Sequence, residues 1–279
     1  MNTIQKTFLL LLLSLSAFGQ NLKVMTYNLR FDNPADGENR WDLRKEFLCR
    51  QIQFYSPDFI GTQEVKLHQL KYIDSTMTHY SYIGIGRDSS PTGGEYSAIF
   101  YNSTKFRVVK HSTFWLSETP GEVSKGWDAM FERICTYGLF ENIKTRQRFY
   151  VFNTHFDHVG ELARTNSAKL IVSKINAINT ENVPVIVTGD FNSEIKSTAY
   201  RFLSSWMNDS KVISEELPFG PSGTFNNFEF NKPVTLLIDY IFTSKDNIAV
   251  TKYGVLSDSK DCKYPSDHLP VYVELFLKK

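Results

Sequence analysis

Between Val185 and Val187 the chain carries only β-branched apolar side chains, and within five residues it has passed through Gly189, Asp190, Phe191 and Asn192. An apolar run closed by such polar punctuation reads as a buried strand that delivers side chains to a loop at its C-terminal end. Asp190 and Asn192 are two apart, so an extended backbone turns both to one side and Phe191 to the other. Taken alone, the pair could simply cap a strand-end turn. The pattern recurs, and its recurrence is what constrains the fold.

Leu22 to Arg30 alternates apolar and polar residues and ends by presenting Asn28 and Arg30 on one side. Trp41, Leu48, Ile52 and Tyr55 follow helical spacing, and Ser56-Pro57 predicts a stop. Asp58 to Val65 then reads as a second strand, ending at Glu64. A lone glutamate at a strand end is most often a solvated residue. Beside Asn28, however, it would make a hard-oxygen site for a divalent cation. A helix is predicted over Leu67 to Met77, and strands over Tyr80 to Gly86, Tyr96 to Tyr101 and Phe106 to Leu116. Ser89 to Gly94 forms an exposed turn that Glu95 follows directly. Ser117 to Asp128, which holds Trp127, has no periodicity and reads as a long rim loop.

Arg133 opens the strand Ile134 to Phe140, where a cation could meet an anionic substrate or serve as a surface ion-pair partner. Phe149 to His158 repeats the hydrophobic strand with a polar end, placing His155 and Asp157 on one face ahead of a helix over Gly160 to Asn179. A single histidine in an apolar strand is more often a hydrogen-bonded core residue. Two histidines and an aspartate at a strand terminus favour function. Beyond Asn192, Ser197 to Ser214 reads as helical or broken-helical. Val234 to Thr243 reads as a strand with Asp239 embedded in it, and a buried acid needs a cationic partner. His268, just before a last strand over Val271 to Leu277, is the expected partner, oriented by Asp239.

Bulk properties bound the rest. The 279 residues, 42% hydrophobic and 14% aromatic, can cover one large core, and no linker or repeat interrupts them. We therefore expect one domain over residues 20–279. A formal net charge of +1 argues against a protein that grips long nucleic acid through many phosphate contacts. The three cysteines are too sparse for a disulfide scaffold and read as small buried hydrophobes. In residues 1–19, Lys6 precedes the apolar run Phe8 to Leu13, and Ala17 and Gly19 stand at cleavage spacing, as in a signal peptide. That run is shorter than the roughly 20 residues of a membrane span. Export without a transmembrane anchor, to the periplasm or outside the cell, is the expectation.

Asn28, Gln63-Glu64, Asn153-Thr154-His155, Gly189 to Asn192, Ile238 to Ile241 and Ser266-Asp267-His268 occur in an order that resembles the endonuclease/exonuclease/phosphatase superfamily. Among its members are deoxyribonuclease I-like nucleases, sphingomyelinases and inositol polyphosphate 5-phosphatases. The resemblance covers Leu22 to the C-terminus. It implies a four-layer α/β sandwich, two stacked mixed sheets flanked by helices, with the active site where strand termini converge. It further implies Glu64 as principal metal ligand, with Asn28 and Asp267 nearby, and Mg²⁺ as the default ion with Mn²⁺ as a substitute. Asp190 would orient or deprotonate water, Asn192 and His155 would contact phosphate, and His268 held by Asp239 would stabilise the transition state.

Arg30 stands where apurinic endonucleases resemble one another in carrying an acid, which argues against that activity. Arg30, Glu95, Arg133, Asp157 and Trp127 are the candidate substrate-binding residues, suited to a compact anionic or sugar-bearing ligand. The expected protein is a monomeric, exported, metal-dependent phosphodiesterase or phosphatase without a stable protein partner. Its substrate would be a phosphorylated small molecule, a lipid headgroup or nucleic acid. The alternatives are an extracellular nuclease on DNA or RNA and an inactive binding module of the same fold. A glycoside hydrolase built on Glu64 and Asp190 would leave Asn28, Asn192 and the Asp239–His268 pair without a role.

Overall fold

A computed structural model describes residues 20–90 and 92–278. The signal peptide expected over residues 1–19 lies outside them. The elements run β1 (Gln20–Asn28), α1 (Trp41–Tyr55), β2 (Phe59–Gln63), β3 (Val65–Lys66), α2 (Leu67–Thr76), β4 (Tyr80–Ile83), β5 (Glu95–Tyr96), β6 (Ile99–Asn102) and β7 (Phe106–Trp115). There follow β8 (Ile134–Asn142), β9 (Arg148–His155), α3 (Glu161–Ile178), β10 (Val185–Asp190), α4 (Thr198–Trp206), β11 (Asn208–Asp209), α5 (Ser210–Ile213), β12 (Asp239–Thr243), β13 (Ile248–Val255) and β14 (Val271–Leu277).

Two six-stranded sheets result, in the orders β13-β14-β1-β2-β6-β4 and β11-β12-β10-β9-β8-β7, with β3 and β5 as a separate short ribbon. Both sheets are mixed: β1 runs parallel to β2, and β9 parallel to β10, while the other pairs are antiparallel.

The period of two explains why four layers form. Val24, Phe59, Val151, Ile186 and Ile241 belong to one buried cluster between the sheets. Their immediate neighbours Met25 and Ile60 pack instead with Trp41, Leu48, Ile52 and Leu70 of α1 and α2. On the other sheet, Phe152, Val187 and Phe242 pack with Ala168, Ile171 and Leu203 of α3 and α4. Strands buried on both faces need apolar residues at nearly every position, which is why these runs look continuous rather than alternating in sequence. The architecture is helix, sheet, sheet, helix, as the resemblance implied.

The layer between the sheets also holds a buried polar cluster. Asn153 Oδ1 accepts from Gln63 Nε2 at 2.7 Å and from Thr188 Oγ1 at 3.0 Å, and Asn153 Nδ2 donates to Thr62 O and Ala98 O. Gln63 Nε2 also reaches Thr26 Oγ1 at 3.0 Å. Gly61 leaves the room for it, because a Cβ there would overlap Thr188 Oγ1 and Asn153 Oδ1. Buried amides and hydroxyls are stable only when paired in this way.

Several local expectations are revised. The strand read over Val234 to Thr243 begins only at Asp239, so that acid sits at a strand entrance rather than inside a strand. Upstream, Phe225 bridges both Leu236 and His268, which draws that segment away from the sheet ladder. The strand Ile248–Val255 was not foreseen from the sequence, and it pairs with β14 at the sheet edge. Cys262 is exposed, whereas Cys49 and Cys135 are buried as expected.

Candidate active site

The C-terminal ends of the parallel pairs β1/β2 and β9/β10 open into a cavity of about 420 Å³. Crevices of this kind form where strand ends splay and loops diverge. Glu64, His155, Asp190, Asp267 and His268 line it, with Asn28 and Asp239 hydrogen-bonded behind them. Register accounts for part of this, since Asp190 is flanked by His155 on β9 and Asp239 on β12 as cross-strand partners. Four of the lining residues adopt left-handed backbone, Arg30 at φ 54°, Glu64 at φ 62°, Asn192 at φ 45° and Asn227 at φ 52°. Each costs about 1–3 kcal/mol and persists only where surrounding contacts enforce it, a pattern typical of functional sites.

The Asn28 amide joins the two acids. Its Nδ2 donates to Glu64 Oε1 at 3.0 Å and to Asp190 Oδ2 at 2.9 Å, and its Oδ1 accepts from Arg30 N at 3.0 Å. Glu64 Oε2 accepts from Phe31 N at 3.2 Å. Ligand atoms of Glu64, His155 and Asp190 lie within 4.8 Å of one another, as do those of Asp190, Asp239 and His268. Asp267 falls outside both groups. It is buried, its Oδ2 stands 3.7 Å from Arg30 Nη1, and burial raises its pKa.

Electrostatics separates the two histidines. His268 Nδ1 is 2.8 Å from Asp239 Oδ2, and its Nε2 is 3.8 Å from Asp190 Oδ2. Burial opposes an imidazolium, but the carboxylates of Asp239 and Asp190 outweigh it and raise the pKa well above the ordinary value. His155 is pushed the other way, first by burial and then by the guanidinium groups of Arg133 and Arg87. Asn192 Nδ2 donates to Phe156 O at 3.0 Å, which fixes the amide orientation, and also meets His155 Nε2 at 3.1 Å. His155 Nε2 is therefore an acceptor, and the proton sits on Nδ1. Asp190 is fully enclosed. Burial, reinforced by the Asp239 carboxylate, raises it to about 7 against the pull of His268 and of hydrogen bonds from Asn28 and Asn192 N.

The candidate binding residues divide into two sets. Arg30, Glu95 and Arg133 line the cavity. Arg30 is held by Asp36 through Nε and Nη2, both at 2.9 Å. Arg133 is buried, with Nε 3.3 Å from Asp157 Oδ2 and Nη2 3.1 Å from His158 Nδ1, while Nη1 makes no hydrogen bond among the described residues. Asp157 and Trp127 lie outside the cavity. Asp157 accepts from the backbone N–H groups of Phe131, Val159 and Gly160, and so fixes Arg133 and the start of α3. Trp127 N is tied to Glu118 Oε2 at 3.1 Å.

Sequence reasoning missed Arg87, Phe131 and Phe225, which also line the cavity, as does His158, the second histidine at the end of the Phe149 to His158 run. Arg87 stands just before the glycine-rich turn and Glu95 just after it. Opposite charges flanking a turn were the available signal for their pairing. A separate groove of about 510 Å³ along α1, near Phe54 and Asp258, lies away from the strand ends.

The sequence model of the Endonuclease/Exonuclease/phosphatase family matches residues 25–268. A solved family protein from Bacteroides thetaiotaomicron is 40% identical with a TM-score of 0.90, covering 94% of this chain and 99% of that one. Another from the same organism, described as the mannosyl-6-phosphatase Bt3783, is 41% identical with a TM-score of 0.87, covering 91% and 99%. Among curated proteins, the CCR4-Not complex 3'-5'-exoribonuclease subunit Ccr4 of Mycosarcoma maydis is 24% identical over 93% of this chain. The chain spans 51% of the length of that relative. With the two stacked sheets and the strand-end cavity in place, these matches establish that the chain belongs to the endonuclease/exonuclease/phosphatase family.

Proposed function

We propose that the chain is an exported, monomeric phosphoester hydrolase acting on a compact phosphorylated molecule with the help of a divalent cation, Mg²⁺ by default and Mn²⁺ as a substitute. The observation that carries this reading is the geometry of one cavity, in which the His268 ring is held by Asp239 at 2.8 Å and faces the enclosed Asp190 carboxylate at 3.8 Å, beside Glu64. Phosphoryl transfer needs alignment of water and neutralisation of charge more than covalent help.

The donors fit a hard cation: Glu64 and Asp267 bring carboxylate oxygens to the cavity, and the Asn28 oxygen, which accepts from Arg30 N, would join them if its amide turned over. A cation held there by Glu64, with Asn28 and Asp267 near it, would supply Lewis-acid neutralisation of the phosphoryl oxygens. Asp190 orients the attacking water and takes its proton, a role suited to its raised pKa. His268, locked at Nδ1 by Asp239, donates from Nε2 to a phosphoryl oxygen. Both N–H groups of Asn192 are engaged, so a phosphoryl oxygen would replace His155 Nε2 as one of its acceptors. His155 would then be free to contact phosphate in its other tautomer.

The name of the mannosyl-6-phosphatase relative supports a monoester as substrate. The exoribonuclease name of Ccr4 supports a nuclease reading, against which stands the near-neutral charge of this chain. The deciding experiment measures hydrolysis of a monoester, a diester, DNA, RNA and a sphingomyelin-type lipid with and without EDTA. EDTA-sensitive turnover of a compact ester, restored by Mg²⁺, is expected. A clear preference for long DNA would overturn the compact substrate, and turnover indifferent to EDTA would overturn the cation.

A further inference from the structure

One wall of the catalytic cavity has a composition that the chemistry at Asp190 and His268 does not require. Arg87 and Glu95 form a bidentate pair there, Nη1 to Oε2 at 2.7 Å and Nη2 to Oε1 at 3.1 Å. Beside them Phe131 remains 44% exposed, stacked on His158 with centroids 5.9 Å apart and with the Arg87 guanidinium 5.2 Å from its ring centre. Trp115 Nε1 donates to Arg87 O at 2.7 Å, which holds this segment of the turn in place.

We propose that Arg87, Glu95 and Phe131 form a leaving-group subsite for a hydroxyl-bearing ring, which makes the substrate class the phosphate ester of a sugar-like polyol. The inference rests on the hydrolase reading above. Adjacent hydroxyls each donate and accept, and a carboxylate beside a guanidinium offers an acceptor and a donor side by side. Phe131 supplies an apolar contact for the C–H groups of such a ring.

Position agrees with this. His155 and Glu64 border both groups: they cluster with Asp190, and they share a small recess with Arg87, Glu95 and Arg133. In-line displacement sends the leaving group away from the attacking water, and the subsite proposed here places it at this wall.

The test compares kcat/KM for hexose 6-phosphates, a nucleoside 5'-monophosphate and methyl phosphate, whose leaving group lacks both ring and hydroxyls. The wild type should favour one hexose 6-phosphate over methyl phosphate by about tenfold or more, the size of one or two hydrogen bonds to charged groups. Glu95→Gln and Phe131→Ala should each lower that ratio about tenfold, whereas a purely structural role would lower both rates together. Phe131→Ala removes an exposed ring and keeps the test available if Glu95→Gln fails to fold. No hexose preference in the wild type, a ratio unmoved in the folded variants, or preference for the nucleotide would overturn the subsite while leaving the hydrolase intact. If no phosphoester is turned over, the hydrolase reading fails. Calorimetric binding of the hexose 6-phosphates to wild type and Phe131→Ala then decides the subsite, with unchanged affinity counting against it.

Discussion

Asp239 Oδ2 lies 2.8 Å from His268 Nδ1, and the opposite edge of the same imidazole faces Asp190 Oδ2 at 3.8 Å. The ring is thus held between two carboxylates that would otherwise repel each other across a strand pair, in the register Asp190 to Asp239. Removing the anchoring charge should release the ring. Asp239→Asn is expected to lower kcat by about 100-fold or more, the range of a general acid or electrostatic donor losing its orientation. A comparison of kcat with phosphate affinity checks this, because an intact pocket should hold phosphate far better than it turns substrate over.

Asp190→Asn tests the other side of that ring. The amide can keep the bond from Asn28 or the bond from Asn192 N, but it cannot take a proton from water. Turnover should fall by at least about 100-fold while binding falls little. Near-normal turnover of a phosphoester by this variant would refute the assigned role of Asp190.

Asp157 carries an acid-stability prediction. Burial raises its pKa, but backbone N–H groups at residues 159 and 160 and the Arg133 guanidinium outweigh that effect and hold it well below the ordinary carboxylate value. A depressed folded pKa stabilises the fold above the unfolded value of about 3.9, and that stability is lost as pH falls toward the folded pKa. Wild type should therefore weaken below about pH 5. Asp157→Asn should cost about 3–5 kcal/mol at pH 7 and flatten the dependence at lower pH. Urea unfolding at pH 7 and pH 4 measures both.

Thiol labelling reads burial directly. Cys49 is buried and its thiol is pushed up to about 12 by desolvation, and Cys135 is raised by the same cause. Cys262 is exposed. A maleimide at neutral pH should modify one thiol in the native protein and all three after denaturation. Rapid native labelling of Cys49 would contradict its place on the buried face of α1.

Gly61→Ala introduces a methyl group into the space occupied by Thr188 Oγ1 and Asn153 Oδ1. Overpacking of this kind costs about 1–3 kcal/mol. Denaturant unfolding should show that loss, and Thr188→Ala in the same chain should recover part of it by opening the space.

Much of this was legible in the sequence because the site is written at strand ends. Asp190, Asn192, His155 and Glu64 each follow an apolar run, so strand reading placed each at a strand end, and the family resemblance brought them together. The extent of β12 was misread because Val234 to Ile238 is as apolar as a strand. Periodicity cannot distinguish a ladder strand from a segment that bridges Phe225 and packs in the core. Arg87 and Phe131 were missed because their roles depend on a turn and a loop folding back onto the cavity, which no local pattern encodes. Trp127 attracted notice as the large residue of its loop, yet the ring that lines the cavity lies four positions on. Asp157 shares a predicted face with His155, but leaving the strand turned its carboxylate toward backbone donors.

The polar cluster between the sheets has a consequence for how the site can fail. Thr26, Gln63, Asn153 and Thr188 stand two, one, two and two residues before Asn28, Glu64, His155 and Asp190. The hydrogen bonds that fix how one sheet lies on the other are thus tied by very short chain segments to the groups that would do the chemistry. A slight sliding of the sheets would break those bonds and pull the acid on one sheet away from the amide on the other. Loss of alignment at the mouth of the sandwich should then precede loss of the strands themselves. Activity in this chain would act as a gauge of sheet registration, falling while the secondary structure still looks intact.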